Sequence, residues 1–117
     1  MENVIPENLE EAVEVLEGFL VNDLAKIKGV PESQFVVSTH HGLGRFIRNN
    51  WDLWSDKESK LVQWFKERNI VHPDDISGII FTSLYRKVNG LPINIQDQID
   101  HYLEFWKMQG YADGIPQ

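Results

Sequence analysis

The stretch from residue 72 to residue 90, "HPDDISGIIFTSLYRKVNG", predicts a central helix and with it the class of fold. Pro73 suits the first helical position, and the two carboxylates that follow it meet the positive end of the helix dipole. Asn89-Gly90 is typical of a helix end. Because apolar side chains point in nearly every direction around this helix, we expect other elements to enclose it. The helix from Asp74 to Val88 is therefore predicted to lie at the centre of the molecule.

Helix-capping patterns predict further helices on both sides of this segment. Three pairs have the spacing of a cap: Asn8 with Glu11, Ser55 with Glu58, and Asn94 with Asp97. Gly110 is predicted to end the last helix. Residues 33–40, "SQFVVSTH", are compatible with a short β-like segment or with the approach to the next helix.

Together these patterns predict an all-α fold, a compact bundle of five or six short helices. A chain of 117 residues fits a single domain, here residues 1–117 with a core from about 6 to 110. Five large side chains are expected to share that core: Ile76, Ile80, Trp51, Trp64 and Trp106.

The composition excludes several classes of protein. The absence of cysteine excludes disulfides and zinc sites of the cysteine type. The first residues, "MENVIPENLEEAVEVL", lack the basic region and apolar run of a secretory signal. No stretch approaches the ~18 uninterrupted apolar residues of a membrane span. We therefore expect a cytoplasmic protein without a membrane partner.

The formal charge of −7 is distributed unevenly. Residues 1–32 hold eight acids and two lysines, whereas no acid occurs between Glu32 and Asp52. Such an excess of negative charge opposes binding to nucleic acid, which depends on neutralising phosphates. It favours basic protein partners, or an anion held locally where the bases are concentrated.

The segment between these acids, "STHHGLGRFIRNNWDLW" at residues 38–54, combines polar and large apolar side chains. If residues 42–53 form a helix, the polar and the apolar side chains separate onto opposite faces. Leu43, Phe46, Ile47, Trp51 and Trp54 then face the core. The opposite, cationic face is left for solvent or a ligand. We select six candidate binding residues on this basis and from the ends of the central helix: His41, Arg45, Arg48, Asn49, His72 and Arg86.

Structural roles compete with binding at these positions. The two arginines could pair with acids of the same chain, such as Asp52, Asp74 or Asp75. Gly42 and Gly44 could allow a turn and close helix packing, or could expose backbone N–H groups to an anion at a helix start.

Asn50 falls in the middle of the predicted apolar face. A buried amide without hydrogen-bond partners would cost about 1–3 kcal/mol, so we expect its side chain to bond to backbone groups. Replacing Asn50 by leucine is then expected to cost a similar amount of stability.

No catalytic or metal-binding motif is predicted, and no cofactor. No pair of histidines has the i,i+4 spacing of helical zinc sites, and no nucleophile motif or phosphate-binding loop is found.

Four segments carry a resemblance to a known family: "HHGLGRFIRNNWDLW", "WF", "HPDDISGII" and "QIDHYLEFW". Together they resemble an uncharacterised domain family of small bacterial and phage proteins, over about residues 6–107. Relatives often carry glycine in place of Asp52. The resemblance implies no activity and no functional residue. It implies a setting only, that of small proteins often involved in conflict between phage and host.

The sequence favours a non-catalytic interaction protein that binds or inhibits a protein partner. In that hypothesis the acidic helix from Leu9 to Leu20 docks onto a basic partner. The alternative is a module for a small anionic, nucleotide-like ligand held by Arg45 and Arg48. A small enzyme that uses His41 or His72 with Asp75 is a third possibility.

Overall fold

The computed structural model describes residues 5–54 and 59–116. All regular structure in these two ranges is helical, as predicted, but they contain seven helices instead of five or six. The helices are α1 Leu9–Phe19, α2 Leu24–Lys28, α3 Glu32–His40, α4 Leu43–Asn50, α5 Lys60–Lys66, α6 Pro73–Val88 and α7 Ile95–Met108.

Helix α6 lies at the centre, which confirms the prediction from its apolar circumference. Helices α1, α2, α3, α4 and α7 all pack against it. Ile76, Ile79, Ile80 and Leu84 are completely buried. The helix begins as the sequence indicates, because His72 is its N-cap and accepts a hydrogen bond at Nδ1 from the Asp74 backbone N–H. None of the helices within residues 5–54 and 59–116 is long and apolar enough to cross a membrane.

The N-terminal cap of α1 is also confirmed. The Asn8 side chain accepts a hydrogen bond from the Glu11 N–H, and the Glu11 carboxylate accepts one from the Glu7 N–H. The first bond is that of a capping box, whereas the second engages the residue before the N-cap instead of the N-cap N–H itself. Helix α5 is capped by Ser59. The predicted pair Ser55 and Glu58 lies outside the described residues.

Two local predictions concern residues 33–40 and the cap of α7. Residues 33–40 belong to helix α3, so the β-like alternative is wrong. Asn94 does precede α7, but its side chain makes no capping hydrogen bond. Its backbone is left-handed, with φ of 50°, a conformation that asparagine tolerates better than most residues.

The core contains only part of the predicted tryptophan set. Trp51 is buried with Ile76 and Ile80, and Trp64 is partly buried against the same cluster. Trp106 lies apart from the cluster and is partly exposed, since its indole N–H is directed to a carboxylate instead.

A glycine makes room for a tyrosine where α7 packs on α6. Gly78 of α6 faces the Tyr102 hydroxyl of α7, and a methyl group at Gly78 would overlap with that hydroxyl. A larger residue at this point would therefore force the Tyr102 side chain to move.

Candidate functional site

Arg48 does not lie on a solvent-exposed cationic face. It is 6% exposed. Its Nη2 donates to the His40 carbonyl at 2.8 Å and its Nη1 donates to Ser77 Oγ at 3.1 Å. Its Nε lies 3.5 Å from the Asp74 carboxylate. We call Arg48, His40, Asp74 and Ser77 the arginine clasp, because one guanidinium joins the end of α3 and the first turns of α6 to α4.

Gly44 makes room for this clasp. A Cβ atom at Gly44 would lie 2.8 Å from Arg48 Nη1 and 2.9 Å from the Thr39 carbonyl oxygen. At Gly42, by contrast, an added Cβ would meet nothing within 4 Å. Of the two alternatives for the glycine pair, the geometry at Gly44 supports close helix packing.

The predicted apolar face of α4 is correct at Ile47 and Trp51 but fails at other positions. Helix α4 ends at Asn50, and the chain then turns through Asp52, whose φ is 55°. Asn50 is therefore exposed and not buried; its Nδ2 donates to the Phe46 carbonyl at 2.8 Å. Trp54, predicted to face the core, is 58% exposed. Within the predicted apolar face, Phe46 is also 42% exposed, so the face is narrower than its sequence suggests.

The six candidate binding residues do not converge on one site. His41, Arg45 and Asn49 follow one another at intervals of four and are exposed. Their role in binding stays a prediction. Arg86 lies near the other end of α6, where its Nε donates to Glu32 at 2.6 Å and its Nη1 donates to the Ile93 carbonyl.

His72 belongs to an aromatic cluster at the start of α6. Its ring stacks on Trp106 with a centroid distance of 5.8 Å, and Trp54 meets it edge-on at the same distance. Beneath them Trp106 Nε1 donates to the Asp75 carboxylate at 2.7 Å. Burial raises the pKa of Asp75, and the Trp106 hydrogen bond and the nearby His72 oppose this shift.

This cluster is not arranged as an open acid–base site. The Nδ1 of His72 is occupied by the helix cap, and Asp75 is buried under Trp106. The neighbouring Tyr102 has its pKa raised to about 12, by burial and then by Asp75 and Asp74. Over residues 5–54 and 59–116, no group of three or more histidines and acids could hold a metal ion.

An open apolar groove lies on another face, beside α1. Its volume is about 470 Å³. Five apolar side chains from α1, α5, the α6–α7 loop and the start of α7 line it: Leu9, Val13, Trp64, Ile93 and Ile95. Glu10 and Lys87 complete its lining. We call this surface the α1 groove.

One edge of the α1 groove is strongly acidic. Glu10, Glu14 and Glu17 follow one another at intervals of four and three, so they form a stripe along α1. Lys87 lies beside the stripe and its Nζ is 2.8 Å from Glu17. The hydrogen bond to Glu17 raises the pKa of Lys87; partial burial opposes this, and Glu17, Glu14 and Glu10 add to it electrostatically. Neither Glu10 nor Glu14 forms an ion pair with any residue that the structure describes.

A second groove, of about 510 Å³, lies between α3, α6 and α7. Arg86 and Glu32 pair at its wall, and Asp97 and His101 also line it.

The sequence indicates the acidic helix α1 but not the groove beside it. Val13 and Trp64 read as ordinary core positions of their helices, and Ile93 lies in a loop. Only the packing of α1, α5 and the α6–α7 connection brings them together. No signal in the sequence places residues from these three segments side by side.

Comparison with known proteins identifies the family. A family model described as a domain of unknown function, DUF6794, matches residues 5–88. The chain belongs to the DUF6794 family. This confirms the expected membership of an uncharacterised domain family. The DUF6794 match covers α1 to α6 and contains the whole arginine clasp. It ends before α7, which carries the "QIDHYLEFW" segment, Tyr102 and Trp106.

Searches of curated proteins and of solved structures found no match to this DUF6794 chain.

Proposed function

We propose that this DUF6794 protein is a non-catalytic interaction protein that binds a basic partner protein through helix α1. One observation carries the proposal: α1 presents carboxylates, without an ion pair to the described residues, along the edge of an open apolar groove. Opposite charge steers a basic partner to this edge, and apolar contact then holds it. The chain's net charge of −7 adds to the attraction.

The arginine geometry supports a protein partner over a small anion. Two of the three arginines proposed to bind are already used within the chain, since Arg48 forms the clasp and Arg86 pairs with Glu32. An incoming anion would have to break these hydrogen bonds. Arg45 alone is exposed without an ion pair to the described residues.

The setting that we propose follows the sequence resemblance. In it the protein acts in the cytoplasm of a bacterium, binds or inhibits a host or phage protein, and requires no cofactor. An acidic protein that occupies a basic surface competes directly with the nucleic acid or acidic protein which that surface would otherwise bind.

The test is a comparison of two double variants with equal net charge. Glu10→Gln with Glu14→Gln removes the unpaired carboxylates of the stripe. Asp52→Asn with Glu104→Gln removes two exposed carboxylates elsewhere. Each protein is immobilised, exposed to bacterial lysate at low and high salt, and the retained proteins are identified by mass spectrometry.

We expect wild type and the control variant to retain the same basic proteins, which the stripe variant loses and which salt releases. Equal retention by both variants would mean that bulk charge attracts these proteins and that α1 is not the binding surface. Retention of no basic protein by wild type would also contradict the proposal.

A further inference from the structure

We infer that the α1 groove receives the apolar side chains of a basic amphipathic helix from a partner. On binding, a lysine or arginine of that helix replaces Lys87 beside Glu17. This inference rests on the proposed function and specifies the partner's chemistry. It is drawn from the shape and lining of the groove together with the charges on its edge.

The groove has the form that a partner helix requires. An amphipathic helix binds by laying apolar residues, spaced by three or four, into an apolar trough. Trp64, Ile93 and Ile95 are partly exposed and provide the apolar contact, and Leu9 and Val13, which are buried, form the floor of the groove.

The acidic edge matches the polar face of the same partner. Glu10, Glu14 and Glu17 project from one side of α1, next to the apolar side chain of Val13. A partner helix that lies along the groove repeats its residues at the same intervals. Its lysines or arginines can therefore reach successive carboxylates while its apolar residues enter the groove.

Lys87 shows that a cation is already held in this position. Its ammonium group contacts Glu17 at 2.8 Å, and all three glutamates of the stripe raise its pKa. The lysine side chain is 44% exposed and that of Glu17 is 29% exposed, so a partner cation can reach the pair from solvent. Because such exposed pairs contribute little stability, an incoming basic side chain can replace Lys87 at low cost.

The charge argument disfavours a second copy of this chain as the occupant. Each copy carries a net charge of −7. A second copy would bring its own excess of acids towards the unpaired Glu10 and Glu14, and like charges across an interface are costly. A basic helix meets both requirements of the surface at once.

The experiment uses two fluorescent peptides of identical composition. One has about 14 residues, with leucines at helical spacing on one face and lysines elsewhere, and the other has the same residues in scrambled order. Binding to the full chain is measured by fluorescence anisotropy. Three proteins are compared: wild type, Ile95→Ser, which removes apolar surface from the groove, and Lys87→Gln, which removes the internal cation.

We expect the amphipathic peptide to bind wild type at least about tenfold more tightly than the scrambled peptide, since only the former can fill the groove. Ile95→Ser should weaken the amphipathic peptide about tenfold and leave the scrambled one unchanged. Lys87→Gln should strengthen the amphipathic peptide roughly twofold to fivefold, because Glu17 becomes available.

The outcomes separate this inference from the function on which it rests. Equal binding of the two peptides, unaffected by Ile95→Ser, would overturn the groove inference and leave a basic partner on α1 intact. Weaker or unchanged binding of the amphipathic peptide to Lys87→Gln would show that no partner cation replaces Lys87 beside Glu17. No binding of either peptide to wild type would overturn both proposals. A dimer of wild type alone in sedimentation, dissociated by Ile95→Ser, would assign the groove to a second copy.

Discussion

Replacing Gly44 by alanine should destabilise the protein, although alanine is the better helix former. Gly44 lies in α4, where alanine alone would gain about 1 kcal/mol through helix propensity. The added Cβ, however, would lie 2.9 Å from the Thr39 carbonyl oxygen and 2.8 Å from Arg48 Nη1. The first of these neighbours is backbone and cannot turn away. The second is held by hydrogen bonds to His40 and Ser77.

The size of the effect follows from these opposing contributions. Forcing a methyl group into a packed contact costs about 1–3 kcal/mol. Loss of ideal geometry in the arginine clasp adds to this cost. After the gain in helix propensity, we expect a net loss of about 1–2 kcal/mol, or roughly 4–8 °C in Tm for a domain of this size.

Gly18→Ala is the matched control. Gly18 is also helical, but an alanine Cβ there would meet nothing within 4 Å. This variant should gain about 0.5 kcal/mol. Both variants are measured by urea denaturation and by thermal melting followed by circular dichroism. If Gly44→Ala is as stable as wild type or gains stability as Gly18→Ala does, α3 and α4 do not approach closely at Gly44 and our account of the clasp is wrong.

Three further predictions test the polar residues one at a time. In urea denaturation, Arg48→Ala should lose about 2–3 kcal/mol of stability, because it removes two hydrogen bonds and the packing of the side chain. Arg45→Ala should stay within about 0.5 kcal/mol of wild type. Equal losses in the two variants would contradict the finding that Arg48 is buried and Arg45 is exposed. Burial raises the pKa of Asp75 above its ordinary value of 3.8. As pH rises above that value, the unfolded chain loses the Asp75 proton before the folded chain does, so wild type loses stability until pH passes the folded-state pKa. The stability of Asp75→Asn relative to wild type should therefore increase between pH 3 and pH 7. A difference that does not change with pH would show that the pKa of Asp75 is not raised. Asn50→Leu should change the free energy of unfolding by less than about 0.5 kcal/mol, since Asn50 is exposed. A loss of about 1–3 kcal/mol would instead indicate that Asn50 is buried, as its sequence pattern suggests.

The sequence predicts the central helix well because every local signal there agrees with the packing. The His72 cap, Pro73 and the apolar circumference of α6 all describe the same element. Asn8 is similarly clear, because its capping hydrogen bond joins residues only three positions apart. Features that depend on neighbours along the chain are accessible to this kind of reasoning.

The motif around Arg48 is harder to interpret because its partners are distant in sequence. A helical wheel shows Arg48 beside Arg45 on a polar face, and polar faces are normally exposed. The wheel contains no information on Ser77, which lies 29 residues further along the chain and accepts the Arg48 hydrogen bond. The early end of α4 at Asn50 shifts Trp54 away from its predicted face as well. The pair between Arg48 and Asp74 is one of the alternatives that the sequence offers. The other partners of Arg48 and the α1 groove arise from tertiary contacts that the sequence does not indicate.

The contact between Gly78 and Tyr102 has a consequence for the width of the α1 groove. Tyr102 lies about two turns along α7 from Ile95, which forms one wall of that groove. The Tyr102 side chain lies against Gly78, so this contact is one of those that position α7, and with it Ile95, on α6. A larger residue at Gly78 would displace the Tyr102 side chain, and any shift of α7 that follows would reach the wall of the groove although Gly78 does not line it.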